Sequence, residues 1–246
     1  MAVRLPRNLV DLELRPGETI TLTDRVARHL VQVLRMKTGA ELTLFNGRDG
    51  RECRARITRM AKKEVRARII ECSEAEPPPP LRLQLALGIS RGERMDFALQ
   101  KAVELGVTTI TPLFTERTVV RLNAQRVQKR LAHWQGVVVS ACEQSGRVYL
   151  PLLHEPAGLE SWLKEEAGPG TLLLDPRAER TLPMLAPPAG TLTFLVGPEG
   201  GFSDSERTLA YRSGCTGIRL GPRILRTETA PLAAMAAAQV LWGDFR

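Results

Sequence analysis

Cysteine, histidine and aromatic residues are all scarce in this chain of 246 residues: four cysteines, three histidines and an aromatic share of 4%. Cys53, Cys72, Cys142 and Cys215 stand far apart and form no C-x-x-C pair, and His29, His133 and His154 show no H-E-x-x-H spacing. The usual zinc patterns are therefore missing. Each cysteine falls in an apolar or alternating context, which predicts buried free thiols and no metal site. No run approaches the roughly 18 apolar residues of a membrane span, and Met1-Ala-Val-Arg-Leu-Pro-Arg7 has no apolar signal region. The expectation is a cytoplasmic protein with no membrane partner. Neither G-x-G-x-x-G nor G-x-x-x-x-G-K-S/T occurs, which removes the common dinucleotide and triphosphate fingerprints.

Acidic residues are in short supply at one end only. Between Met1 and Cys72 there are 16 Lys/Arg against 9 Asp/Glu, while from Leu81 onward there are 19 against 16. A strongly basic segment joined to a near-neutral body fits a polyanion-binding domain. Arginine outnumbers lysine 29 to 6; a thermophilic composition explains that choice of cation but not its uneven placement.

The boundary between the two parts is Ser73-Glu-Ala-Glu-Pro-Pro-Pro-Pro80, a polyproline spacer that fits neither a helix nor a central strand. Before it, alternation predicts strands at Asn8–Leu14, Thr19–Thr23, Glu41–Asn46, Arg51–Met60 and Lys63–Cys72, with one helix from Asp24 to about Met36. Cys53, Ala55 and Ile57 face one way and Arg54 and Arg56 the other; Val65, Ala67 and Ile69 oppose Arg66 and Arg68 in the same manner. The economical fold is a small β-barrel with an arginine-studded outer face. After the prolines, strands at Leu81–Ile89, Val107–Pro112, Leu172–Asp175, Leu192–Val196 and Thr216–Leu220 alternate with helices at Arg94–Leu105, Asn123–Glu143, Gly158–Glu165, Asp204–Ser213 and Thr229–Trp242. That order predicts an α/β domain with a mostly parallel sheet and ligands outside the carboxyl ends of its strands.

Two segments stand out there. Leu192-Thr-Phe-Leu-Val-Gly-Pro-Glu-Gly-Gly-Phe-Ser-Asp-Ser-Glu206 and Gly217-Ile-Arg-Leu-Gly-Pro-Arg-Ile-Leu-Arg-Thr-Glu-Thr-Ala230 each run strand, glycine-proline turn, polar residues, helix. The glycines let the backbone turn tightly and offer its own N–H and C=O groups to a ligand, and Ser203 with Glu206 makes a capping box. Ile224 and Leu225 suit the faces of a flat ring. No lysine accompanies the glycines, so an adenine-containing cofactor fits better than a phosphate-rich one.

These two loops resemble the SPOUT class of S-adenosylmethionine-dependent RNA methyltransferases, and within it the RsmE family of 16S ribosomal RNA uridine-N3 methyltransferases. His29-Leu-Val-Gln-Val-Leu-Arg35, Gln100-Lys-Ala-Val-Glu-Leu-Gly-Val107, Thr115-Glu-Arg-Thr-Val-Val120 and Glu143-Gln-Ser-Gly-Arg147 agree as well, in order along the chain. The resemblance implies a PUA-like barrel over residues 1–72, the linker 73–80, and a SPOUT methyltransferase domain over 81–246 with a C-terminal trefoil knot. It further implies a homodimer acting on 16S ribosomal RNA or the small ribosomal subunit.

On this reading Leu174, Leu195, Gly197, Pro198, Glu199, Gly200, Gly201, Leu220, Gly221, Ile224, Leu225, Arg226 and Ala230 hold S-adenosylmethionine. Uridine N3 carries a proton at neutral pH, so its methylation needs a base or cations that stabilise the anion. Arg226, Glu228 and Arg147 are the candidates, with Glu143 beside the last. Two readings of Glu228 stay open, a reacting carboxylate or one that merely sits at a helix N-terminus; Arg226 is either reactive or part of a structural ion pair. Arg4, Arg7, Arg35, Arg54, Arg56, Arg66 and Arg68 are expected to contact RNA phosphates. The same chemistry on a different RNA, and a non-catalytic assembly factor of the same fold, remain as alternatives.

Overall fold

A computed structural model describes residues 5–22, 24–61, 64–118 and 124–245, which form two compact units. The first comprises Met1–Pro78 with Cys142–Leu150, the second Pro79–Ala141 with Pro151–Arg246.

In the first unit, β1 (Arg7–Leu9), β2 (Thr19–Leu22), β3 (Glu41–Phe45), β4 (Cys53–Met60) and β5 (Val65–Cys72) make one sheet in the order β1-β3-β4-β5-β2. Only β1 and β3 pair in parallel. The ladder stays open between β1 and β2, so the barrel is a half-barrel. Strict alternation along β4 and β5 buries Cys53, Ala55, Ile57, Val65, Ala67 and Ile69 and exposes the arginines between them. Val26, Ala27 and Leu30 of the helical segment complete that apolar face. Burial of each large aliphatic side chain there contributes about 1.5–3 kcal/mol.

Three expectations change here. The first strand ends at Leu9 and does not run to Leu14. The helix is not continuous to Met36: α1 (Asp24–Arg28) passes into a π-helical turn over His29–Val33, in which Leu34 N donates to His29 O at 3.0 Å. The extra residue in that turn rotates the apolar stripe, leaving Val33 and Leu34 exposed. Nor are all four thiols free. Cys53 and Cys72 face each other across the antiparallel β4–β5 ladder, with Cα atoms 4.0 Å apart, and are joined as a disulfide; Cys142 and Cys215 remain free and buried.

The second unit is built on β6 (Leu83–Gly88), α2 (Glu93–Glu104), β7 (Val107–Phe114), α3 (Ala124–Ser145), β8 (Leu152–Leu153), β9 (Ala157–Gly158), α4 (Leu159–Glu165), β10 (Thr171–Leu174), β11 (Leu192–Val196), α5 (Asp204–Arg212), β12 (Thr216–Ile218) and α6 (Thr229–Trp242). The sheet order is β12-β10-β11-β6-β7-β8, with β9 also on β7, and every pairing is parallel. A parallel sheet covered on both faces wants unbroken apolar strands, and all five residues of β11 are buried. β8 and β9 escape sequence reading because each is two residues long and follows a proline, Pro151 or Pro156. Among the described residues no helix is long and apolar enough to cross a membrane.

Candidate functional site

β10 lies between β11 and β12, so three parallel strands deliver their carboxyl ends to one sheet edge. The segments that follow, residues 173–177, 196–202, 218–221 and 223–228, wall a cavity of about 670 Å³. This is the crevice in which open parallel sheets bind ligands.

The first loop is clamped from several sides. Gly88, at the end of β6, lets Pro198 lie against its backbone; a Cβ there would stand 2.5 Å from Pro198 N. Glu199 Oε1 accepts from Arg91 N at 2.9 Å and lies 3.6 Å from Arg94 Nη1. Arg117 Nη1 donates to Gly200 O at 2.8 Å. Beyond the loop, Ser203 Oγ accepts from Glu206 N at 3.1 Å and Glu206 Oε2 accepts from Ser203 N at 2.8 Å, the capping box read from sequence. The other oxygen of Glu206 accepts from Glu116 N at 2.8 Å.

The second loop turns at Gly221, whose φ of 82° favours glycine. Thr227 joins it to the first: its buried hydroxyl donates to Gly197 O at 2.7 Å. Asp175 closes a third side, its carboxylate accepting from Arg177 N at 3.0 Å and from Tyr211 Oη at 3.0 Å. Burial, and then the bond to Asp175, push the Tyr211 hydroxyl up to about 12, so it remains a donor at neutral pH.

Most residues expected at the cofactor lie on this wall: Leu174, Gly197, Pro198, Glu199, Gly200, Gly201, Leu220, Gly221, Ile224, Leu225, Arg226 and Ala230. Leu195 does not. It is fully buried in the core with Ala86, Trp162 and Leu173, because alternation along β11 turns it away from the cavity. Ile224 is 85% exposed at the lip. Arg94, Arg117, Asp175, Arg177, Arg207, Arg219, Arg223 and Thr227 line the cavity without having been singled out from sequence.

Arg226 and Glu228 come together, with Nη1 3.9 Å from Oε1 and side-chain exposures of 78% and 13%. Glu228 stands at the N-cap of α6 yet makes no side-chain capping bond, and its Oε2 is buried without a partner. Arg147 belongs to the first unit and lines no part of the cavity of this chain; its carbonyl accepts from Arg7 Nη2 at 3.2 Å. Its neighbour Glu143 accepts from Leu9 N and from Arg25 Nη2, both at 3.0 Å.

The arginines assigned to RNA divide three ways. Arg4 lies outside the described residues. Arg7 is corrected from a surface contact to an internal tie: its side chain is 5% exposed, Nε donates to Glu52 Oε1 at 2.7 Å, Nη1 donates to the carbonyls of Cys142 and Glu143, and the guanidinium lies 4.6 Å from the Phe45 ring centre. With its donors engaged inside the unit, Arg7 has nothing to offer a phosphate. Arg35, Arg54, Arg56, Arg66 and Arg68 are exposed. Arg35 follows the π-helical turn with φ 49°, a left-handed conformation rare outside glycine.

The cavity fits a nucleoside-like cofactor. Where a Cβ would stand on Gly201 or Gly221 there is open space, and backbone groups, not lysines, form the loops. Among the described residues no cluster of His, Cys, Asp and Glu is arranged to hold a metal ion.

A family model described as an RNA methyltransferase domain matches residues 77–239, and one described as an RNA methyltransferase PUA domain matches residues 22–70. The chain is 34% identical over 245 residues to the ribosomal RNA small subunit methyltransferase E of Buchnera aphidicola subsp. Schizaphis graminum, covering 99% of each. A ribosomal RNA small subunit methyltransferase E from Neisseria gonorrhoeae, solved bound to S-adenosyl methionine, is 42% identical with a TM-score of 0.90 over 99% of this chain and 100% of that one. A Legionella pneumophila protein, solved in complex with the cofactor SAM, is 40% identical with a TM-score of 0.95 over the same shares.

Proposed function

This chain belongs to the RsmE family of small-subunit ribosomal RNA methyltransferases, and from that premise we propose that it methylates N3 of a uridine in 16S ribosomal RNA with S-adenosylmethionine as donor. The observation that carries the reading is the cavity itself: two glycine-proline loops, stapled by Thr227, with an acid and an arginine at their edge. A protein that only bound RNA has no need of such a pocket.

When bound, S-adenosylmethionine supplies an electrophilic methyl group, so the protein's own work is to bind, orient and move a proton. Residues 197–201 with Leu220, Gly221, Ile224 and Leu225 hold the donor through backbone groups. Glu228 takes the proton from uridine N3, through the oxygen left without a partner. Arg226, exposed and 3.9 Å from that carboxylate, stabilises the charge that develops on the flanking carbonyl oxygens. Arg35, Arg54, Arg56, Arg66 and Arg68 contact phosphates on the half-barrel.

The homodimer belongs to the same reading. α6 is apolar almost all round, and its outward Ala233, Val240 and Leu241, with Phe245 beyond it, want a cover; sedimentation should show a dimer. So does the trefoil knot, which is compatible with the stapling of the two loops and with the return of β12 past β11 to the outside of β10. A substrate of this kind places the protein in the cytoplasm.

The direct test is to incubate labelled S-adenosylmethionine with small subunits lacking the modification and to map the methylated nucleotide. Label on N3 of one uridine is expected; label on transfer RNA would move the chain to a different substrate. Glu228→Gln should lower turnover by about 10²–10⁴, the usual share of a general base, with cofactor affinity retained. Near-normal turnover in that variant would remove Glu228 from the chemistry.

A further inference from the structure

The cavity is lined by seven arginines and three acids. Each acid is already engaged: Asp175 by Tyr211 and Arg177, Glu199 by Arg91 N and Arg94, Glu228 by its approach to Arg226. Arg177 and Arg207 both pair with Asp204. Arg117 has no acidic partner but is tied to the Gly200 carbonyl at 2.8 Å. That leaves Arg219 and Arg223, both exposed and with neither an acidic partner nor a side-chain hydrogen bond among the described residues.

Their placement is fixed by backbone. Ile218, the last residue of β12, is fully buried, and Arg219 N donates to Arg180 O at 2.9 Å, so the backbone entering Arg219 is fixed. Arg223 follows the Gly221-Pro222 turn, where a positive φ and a proline restrict the chain. The cations therefore stand on a built rim, with only their side chains left to order on binding.

The excess charge is not explained by the methyl donor. S-adenosylmethionine carries a sulfonium and an ammonium against a single carboxylate, so it is itself a cation. Concentrating arginines at the mouth of its pocket works against it unless an anion also arrives there. Resting on the function proposed above, we propose that Arg219 and Arg223 form a phosphate-binding rim of the methyltransferase unit that seats the RNA backbone beside the target nucleotide. Guanidinium groups suit this role because their paired N–H donors match phosphate oxygens. Such contacts fix register without reading sequence, so the rim positions the uridine and leaves its identity to groups inside the cavity.

The test compares the full-length protein with the Arg219→Ala/Arg223→Ala and Arg219→Lys/Arg223→Lys double variants. Binding to a single-stranded oligouridylate is measured against salt, S-adenosylmethionine binding by calorimetry, and methylation on unmodified small subunits. In the alanine pair the slope of log affinity against log salt should fall by about 1.4, the value for two single-strand phosphates, with the KM for subunits raised and cofactor affinity unchanged. The lysine pair should restore the slope, since it keeps the charges. An unchanged slope in the alanine pair overturns the rim, as does a loss of cofactor affinity with RNA binding intact, which would assign both arginines to the donor's carboxylate. A wild-type protein that binds oligouridylate but methylates no small subunit would sink the functional reading, while the salt slopes would still decide the rim.

Discussion

On the outer face of the half-barrel, Arg54 and Arg56 share the carboxylate of Glu41, Arg54 also reaches Glu71, and Arg66 pairs with Glu64. At the mouth of the cavity, Arg219 and Arg223 have no acid to share among the described residues. By sequence the basic end of the chain is the first third; by structure much of that charge is matched on the spot. The face needs those acids, because antiparallel pairing sets Arg56 opposite Arg68 and Arg59 opposite Arg66, where like charges repel. A net-charge count therefore overstates the free cations of the half-barrel: Arg54, Arg56 and Arg66 are matched, while Arg35 and Arg68 stay exposed with no ion pair among the described residues. Exposed pairs contribute about 0–1 kcal/mol each, so phosphates can still displace them, but Arg54, Arg56 and Arg66 must leave ion pairs to bind RNA, whereas Arg35, Arg68 and the rim need not.

Arg7 is the extreme of the matched class and gives the largest effect. Arg7→Ala leaves Glu52 and three backbone carbonyls without their donor inside the first unit, which should cost about 3 kcal/mol, as breaking a buried pair does. Urea unfolding measures this. The same variant should keep the wild-type salt slope for oligouridylate wherever it remains folded. A lowered slope with little loss of stability would return Arg7 to the RNA surface.

Next in size is a gain. Glu41→Gln releases Arg56 outright and leaves Arg54 to Glu71 alone, which turns part of the matched face into a copy of the open one. If the half-barrel meets RNA, the salt slope should steepen by up to about 1.4, two further single-strand phosphates. A slope that does not move means that this face stays clear of the nucleic acid, and the comparison then favours the rim outright.

Much of the site was legible because glycine, proline and capping residues act locally. Gly197–Gly201 and Leu220–Arg226 read as ligand loops from their turn chemistry, and the Ser203–Glu206 capping box needs only three residues of separation. Leu192–Val196 and Thr229–Trp242 kept their expected bounds because continuous apolar runs leave little choice of phase. What failed depended on distant partners. Leu195, expected at the cofactor on the family resemblance, points into the core, because one residue along a strand reverses the face. Arg7 reads as surface charge until the carbonyls of residues 142, 143 and 147 surround it. The Cys53–Cys72 bond needs the β4–β5 register, which a bulge between Arg54 and Ala55 shifts. Thr227 lies within the second motif, where its hydroxyl suits the start of a helix, but its bond to the first loop has no local signal because the acceptor lies thirty residues away.

The smallest effect separates the regions by pH. The hydrogen bond from Arg56, and then the charge of Arg54, hold the Glu41 carboxyl below its ordinary 4.5. A group whose folded pKa is lowered adds stability above its unfolded value and loses that stability as pH falls through the lowered one. Glu41 thus stays ionised, and the barrel face stays matched, across the whole neutral and mildly acidic range. Wild-type salt slopes should coincide from neutrality down to about pH 5, still above the ordinary carboxylate range, and the stability difference from Glu41→Gln should shrink only below that range. A slope that steepens between those two points would mean that Glu41 protonates early, that the ion pairs with Arg54 and Arg56 are weaker than their geometry indicates, and that the barrel's arginines are as open to RNA as those of the rim.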